Sequence, residues 1–112
     1  MKNNDKVQKI IKVKFKGKIV QCVSVGDLAA ACGYATITIK KMEENGVMPK
    51  PNIRGKSFSN GEPGKRLYTI PLVNALKIIL AKIQNGVKIS DEIKRQIAVA
   101  FNDEKEYLNT EV

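Results

Sequence analysis

The side chains in this sequence that could do chemistry are mostly cationic, and they fall in three groups. Lys12 and Lys14 alternate with Ile11, Val13 and Phe15. Thr36, Thr38, Lys40 and Lys41 follow within one short segment. Arg54, Lys56, Lys65, Arg66 and Tyr68 flank a stretch punctuated by Gly55, Gly61 and Gly64. Lys and Arg only donate hydrogen bonds, so such groups grip phosphates, while Thr can also touch a base edge. Chemistry of other kinds finds little support. The chain has no histidine, which removes the commonest general base and metal ligand. Glu43 and Glu44 are adjacent and point to different faces of a helix, so they make no acid/base pair. Asp91 and Glu92 follow Ser90, where acids complement a helix N-terminus. Cys22 and Cys32 fit neither a CxxC nor a zinc spacing and read as small core residues, with a disulfide as the alternative. The glycine-rich stretch lacks the Gly-Lys-Ser/Thr ending of a phosphate loop. The expectation is a binding protein, not an enzyme, with no cofactor and no metal.

Composition sharpens that expectation. The 112 residues carry 20 Lys+Arg against 11 Asp+Glu, a net charge of +9. Residues 1–20 hold seven lysines and one acid, residues 36–70 hold seven basic and three acidic groups, and residues 71–112 balance six against six. One side of the molecule should therefore be positive and the other neutral, which suits a polyanionic partner on the positive side. No tryptophan and few aromatics argue against a stacking platform for single strands. No apolar run approaches the ~18 residues that span a membrane, and no signal peptide is legible. A cytoplasmic protein with no membrane partner is expected.

The elements that must position these groups follow from periodicity and punctuation. Residues 7–25 read as a β-hairpin turning at Lys16-Gly17, with Lys12 and Lys14 on one face. Those lysines would contact phosphate or protect a sheet edge. Ser24 and Asp27 resemble a capping box that opens a first helix over 25–31, stopped at Gly33. Thr36 opens a second helix over 37–45, with Ile39 and Met42 on a narrow apolar stripe. Two short helices around a Gly-containing turn make a helix-turn-helix pattern. Residues 48–66 are loop-like and lead to a short strand at Arg66-Leu67-Tyr68-Thr69, as a wing would. Leu72, Leu76, Ile79 and Ile83 mark a third helix starting at Pro71, and Ile93, Ile97, Ala100 and Phe101 a fourth, extended towards Leu108. The fold class is α+β and mainly helical: a winged helix-turn-helix with an N-terminal hairpin, a Gly-rich wing and two C-terminal helices. Its parts are a basic hairpin arm (1–22), the main domain (23–102) and a helix end with a frayed tail (103–112).

At this point the residues carry a resemblance. Gly33-Tyr34-Ala35-Thr36-Ile37-Thr38-Ile39-Lys40-Lys41-Met42-Glu43-Glu44-Asn45-Gly46 resembles the second-helix signature of the MerR (mercury-resistance regulator) superfamily. Gly64-Lys65-Arg66-Leu67-Tyr68 is similar to its wing motif, and Gly86-Val87-Lys88-Ile89-Ser90-Asp91-Glu92-Ile93 to the start of its fourth helix. The resemblance covers residues 23–101. It implies a winged helix-turn-helix with helix 2 in the DNA major groove and the wing along the backbone. Thr38 and Lys40 then face DNA, Lys41 replaces an aromatic that touches the backbone, and Arg66 is the wing's phosphate contact. The departures are Ile37 at a position often polar, Lys41-Met42 in place of an aromatic pair, and extra wing residues at 57–62. No counterpart of the family's long dimerising helix or effector domain is matched, so ligand sensing is not carried over. Small phage excisionases and terminase small subunits also look like relatives of this fold.

The function expected is sequence-preferring binding of double-stranded DNA, as a small phage or bacterial transcription regulator. An architectural factor of the excisionase or terminase kind is the alternative. So is a protein-interaction module that has lost DNA, favoured by the apolar Ile37. A homodimer and a protein partner both stay open.

Overall fold

Lys16 and Gly17 set the first piece of structure. In the computed structural model, which describes residues 9–55, 64–84, 86 and 88–110, their φ angles are 51° and 85°. Two successive positive φ values make the two-residue turn whose twist matches antiparallel strands. Strands β1 (Ile11–Phe15) and β2 (Lys18–Ser24) therefore close as a hairpin, with Phe15 opposite Lys18 and Ile11 opposite Cys22. β2 then pairs with β4 (Arg66–Thr69), and β4 with the two-residue β3 (Ile53–Arg54). The result is one four-stranded antiparallel sheet in the order β1-β2-β4-β3.

Four helices complete the α+β fold: α1 (Val25–Cys32), α2 (Thr36–Glu44), α3 (Ile70–Gln84) and α4 (Asp91–Asn109). Ser24 caps α1 by accepting from the Asp27 N–H at 3.3 Å. The reciprocal half of the expected capping box is absent. Ser24 is still a sheet residue opposite Leu67, and the Asp27 carboxylate accepts instead from the Lys9 backbone N–H. Gly33 ends α1 at φ 78° as expected, with Cys32 adding one helical residue beyond the expected 25–31. A Cβ there would lie 3.1 Å from the Gln84 amide, which itself donates to the Gly33 carbonyl at 2.8 Å. Thr36 is the first helical residue of α2 and not its cap; Ala35 holds the cap position, without a side-chain bond. Ser90 caps α4 as expected, accepting from the Ile93 N–H.

The core forms on both faces of the sheet. The larger cluster joins Val23 and Tyr68 to Leu28 of α1, Ile39 and Met42 of α2, Leu72, Leu76 and Leu80 of α3, and Ile97 and Phe101 of α4. A smaller one packs Val20, Cys22, Ile53 and Leu67 with Leu108. Successive side chains on a strand point to opposite faces, so the neighbours Leu67 and Tyr68 serve different clusters. Both cysteines are free and buried. Burial pushes each thiol up to about 11, which keeps them protonated and inert near neutral pH.

One buried polar group reaches across these layers. Glu104, 5% exposed, accepts from Asn52 Nδ2 at 2.8 Å through one oxygen. Its other oxygen accepts from the Thr69 N–H at 2.8 Å and the Thr69 hydroxyl at 2.7 Å. Thr69 Oγ1 also accepts from the Leu72 N–H near the start of α3, and Asn52 donates a second time to the Phe101 carbonyl. All three groups facing Glu104 are donors, so only a side chain accepting at both oxygens satisfies them.

Glu104→Ala orphans those donors, at about 1–3 kcal/mol for each that stays buried and unpaired. Glu104→Gln, almost the same shape, turns an NH2 towards a donor and should also destabilise. Urea unfolding checks both, and a Gln variant with the wild-type midpoint would show that the network contributes nothing.

Candidate nucleic-acid interface

The three-residue turn Gly33, Tyr34, Ala35 joins α1 to α2 and is held from below. The Tyr34 hydroxyl donates to the Leu80 carbonyl at 3.1 Å, and Gln84 holds Gly33 as described. Ile39 and Met42 anchor the inner side of α2 in the core. That leaves Ile37 (62% exposed) and Lys41 on its outer side, one helical turn apart. Lys40 is half-buried and faces the β3–β4 ribbon.

Between α2, the start of α1 and that ribbon lies a cleft of about 450 Å³. Ser24, Val25 and Gly26 form one wall, and Lys40, Arg54, Gly64, Lys65 and Arg66 form the rest. Four cationic side chains thus converge from three segments far apart in sequence, and no acid is among the described residues that line the space. Thr36 lies next to one wall without lining it: a Cβ on Gly26 would lie 3.8 Å from the Thr36 hydroxyl. Thr38, half-buried, belongs to the same helix.

Two of the four cations are held in place. Arg54 Nη1 donates to the Gly64 carbonyl at 2.8 Å, bridging the ribbon's two legs. Arg66 Nε donates to Glu43 Oε1 at 2.6 Å, and both side chains are largely covered. The hydrogen bond to Glu43 raises the guanidinium's already high pKa further, so Arg66 is charged throughout the accessible pH range. Arg66 was expected to be a free contact; here it also ties the ribbon to α2. From the sequence Glu43 reads only as one of two adjacent helix acids, not as a partner for the ribbon. The partners are 23 positions apart, and no local spacing announces such a pair.

The other expected residues divide. Lys65 lies in the cleft and is exposed. Lys41 is exposed but points away from it. Lys12 and Lys14 are exposed on β1, at the sheet edge opposite β3, so the cleft and the hairpin lysines are separate. Lys56 lies outside the described residues. Tyr68 is a correction: it is 1% exposed and packs edge-on against Phe101 at 6.3 Å. Burial pushes its hydroxyl up to about 12. As part of the central strand it serves the core and cannot reach a ligand.

No helix among the described residues is long and apolar enough to cross a membrane. Comparison of the chain with protein-family models, curated proteins and solved structures finds no match.

If the Arg66–Glu43 pair couples α2 to the ribbon, a double-mutant cycle should reveal it. Glu43→Ala and Arg66→Ala should be non-additive, with an interaction energy of about 0.5–3 kcal/mol in urea unfolding. Additive losses would mean that the two elements are held together by other contacts alone.

Proposed function

We propose that the α1–α2 pair and the β3–β4 ribbon act as a helix-turn-helix and wing of the MerR-like kind, binding double-stranded DNA with some sequence preference. The observation that carries this reading is the cleft where Lys40, Arg54, Lys65 and Arg66 converge beside an exposed helix. Cations in that arrangement grip phosphates and fix register, while α2 enters the major groove. Lys40 can donate to guanine, and Thr38 and Ile37 can touch a thymine methyl. A small transcription regulator, or an architectural factor of the excisionase or terminase kind, would use the same face. A second reading takes Ile37, exposed on that helix, as the anchor for a protein partner instead of a base.

Fluorescence anisotropy on duplexes enriched from a random pool, and on an unselected duplex, tests the proposal. Neutralising one phosphate contributes about −0.9 to the slope of log affinity against log salt, so Arg54, Lys65 and Arg66 together predict a slope of roughly −2 to −3. Arg54→Ala and Lys65→Ala should weaken both duplexes alike and flatten the slope by about one unit each. Lys40→Ala and Thr38→Ala should weaken the enriched duplex more, by about 1–3 kcal/mol for a lost base contact. Absence of binding to either duplex at low salt contradicts the reading and leaves Ile37 to a protein.

A further inference from the structure

Away from the basic cleft, α3 and α4 leave an apolar groove along their seam. Three depressions adjoin there. One of about 460 Å³ shares Ala75, Ala100 and Asp103 with a second of about 250 Å³. The second shares Thr69, Pro71 and Tyr107 with a third, which reaches Ile19 on the hairpin. Ile78, Val99, Tyr107 and Ile19 line this path and are 68%, 52%, 48% and 61% exposed. The core does not need them, because α3 already buries Leu72, Leu76 and Leu80 on its inner side. The path turns polar towards the hairpin, where Lys18 Nζ lies 4.4 Å over the Tyr107 ring, so the apolar interaction surface is its α3–α4 part, centred on Ile78 and Val99.

We infer that this groove is a self-association face, occupied by the α3–α4 groove of a second copy of the chain. Charge argues for that occupant. Two copies carrying +9 each repel through their basic sides, whereas residues 71–112 balance six cations against six acids. The groove itself is polarised. Lys82 lies at one end, beside an Arg95 paired with Glu92, and Asp103 lies towards the other. A two-fold axis through Ile78 and Val99 sets the Lys82 end of each copy against the Asp103 end of its partner. That is the self-complementarity an isologous interface requires. The same axis stacks the exposed isoleucine and valine side chains at its centre, where fully desolvated contacts carry most of the binding energy.

Sedimentation equilibrium of the full chain without DNA, at roughly 1 to 300 µM protein, tests this. The wild type should dimerise within that range. Ile78→Glu, and Val99→Glu on the other helix, should raise the dissociation constant at least about tenfold. Both side chains are exposed, so circular dichroism should show each variant folded. Asp103→Lys should weaken association, and the double exchange Lys82→Glu with Asp103→Lys should restore it, since each new residue then meets its opposite across the axis. A chain that stays monomeric throughout, or a dimer indifferent to Ile78→Glu, overturns the inference. No DNA is present, so that failure leaves the reading of the basic cleft untouched.

Discussion

A single buried side chain, Glu104, ties the β3–β4 ribbon to α4 and, through Thr69, to α3. The β3–β4 ribbon begins from strands of two and four residues, too little pairing to stand alone. Glu104 fastens both of its legs to α4, accepting from Asn52 just before β3 and from Thr69 at the end of β4. Thr69 then passes the constraint on to α3 through the Leu72 N–H. Three hydrogen bonds converging on one buried side chain set geometry as well as energy. With the ribbon's base fixed, Arg66 can reach Glu43 and set the distance between ribbon and α2. The positions of the cleft's walls are therefore fixed by contacts within the protein itself.

Charge is divided along the same lines. The cleft gathers cations from α2 and from both legs of the ribbon, whereas the α3–α4 side is balanced. Such segregation concentrates the positive potential on one face of the molecule. Among the described residues Glu43 pairs with one of the cleft's cations, Arg66. The lysines of β1 add a second positive region at the opposite edge of the sheet.

Local signals were legible and long-range ones were not. The Lys16-Gly17 turn, the Ser24 and Ser90 caps, the Gly33 stop and the apolar stripes of α3 and α4 depend on neighbours a few positions away, and each stands where the residues imply. Strand β3 is too short to show any period. Tyr68, in the wing-like motif Gly64-Lys65-Arg66-Leu67-Tyr68, reads as a contact residue next to Arg66. β4 lies between β2 and β3 with core on both sides, so its alternation is lost. Glu104 sits on the α4 stripe, three residues after Phe101 and four before Leu108, where a carboxylate reads as a surface charge until its donors from distant segments are seen. The Arg66–Glu43 pair is hidden for the same reason. Lys40, Arg54 and Lys65 were each legible as cations, but only the sheet order brings them to one cleft.

Amide chemical shifts of the uniformly 15N-labelled chain, followed as a DNA duplex is added, test the central claim most directly. A phosphate-gripping cleft beside a reading helix predicts that the largest changes fall on residues 24–26, on α2 from Thr36 to Lys41, and on Arg54 and Gly64 to Arg66. The α3–α4 seam around Ile78 and Val99 should stay unmoved. Changes confined to the β1–β2 hairpin, or concentrated on α3 and α4, would contradict it and place the nucleic acid on another face.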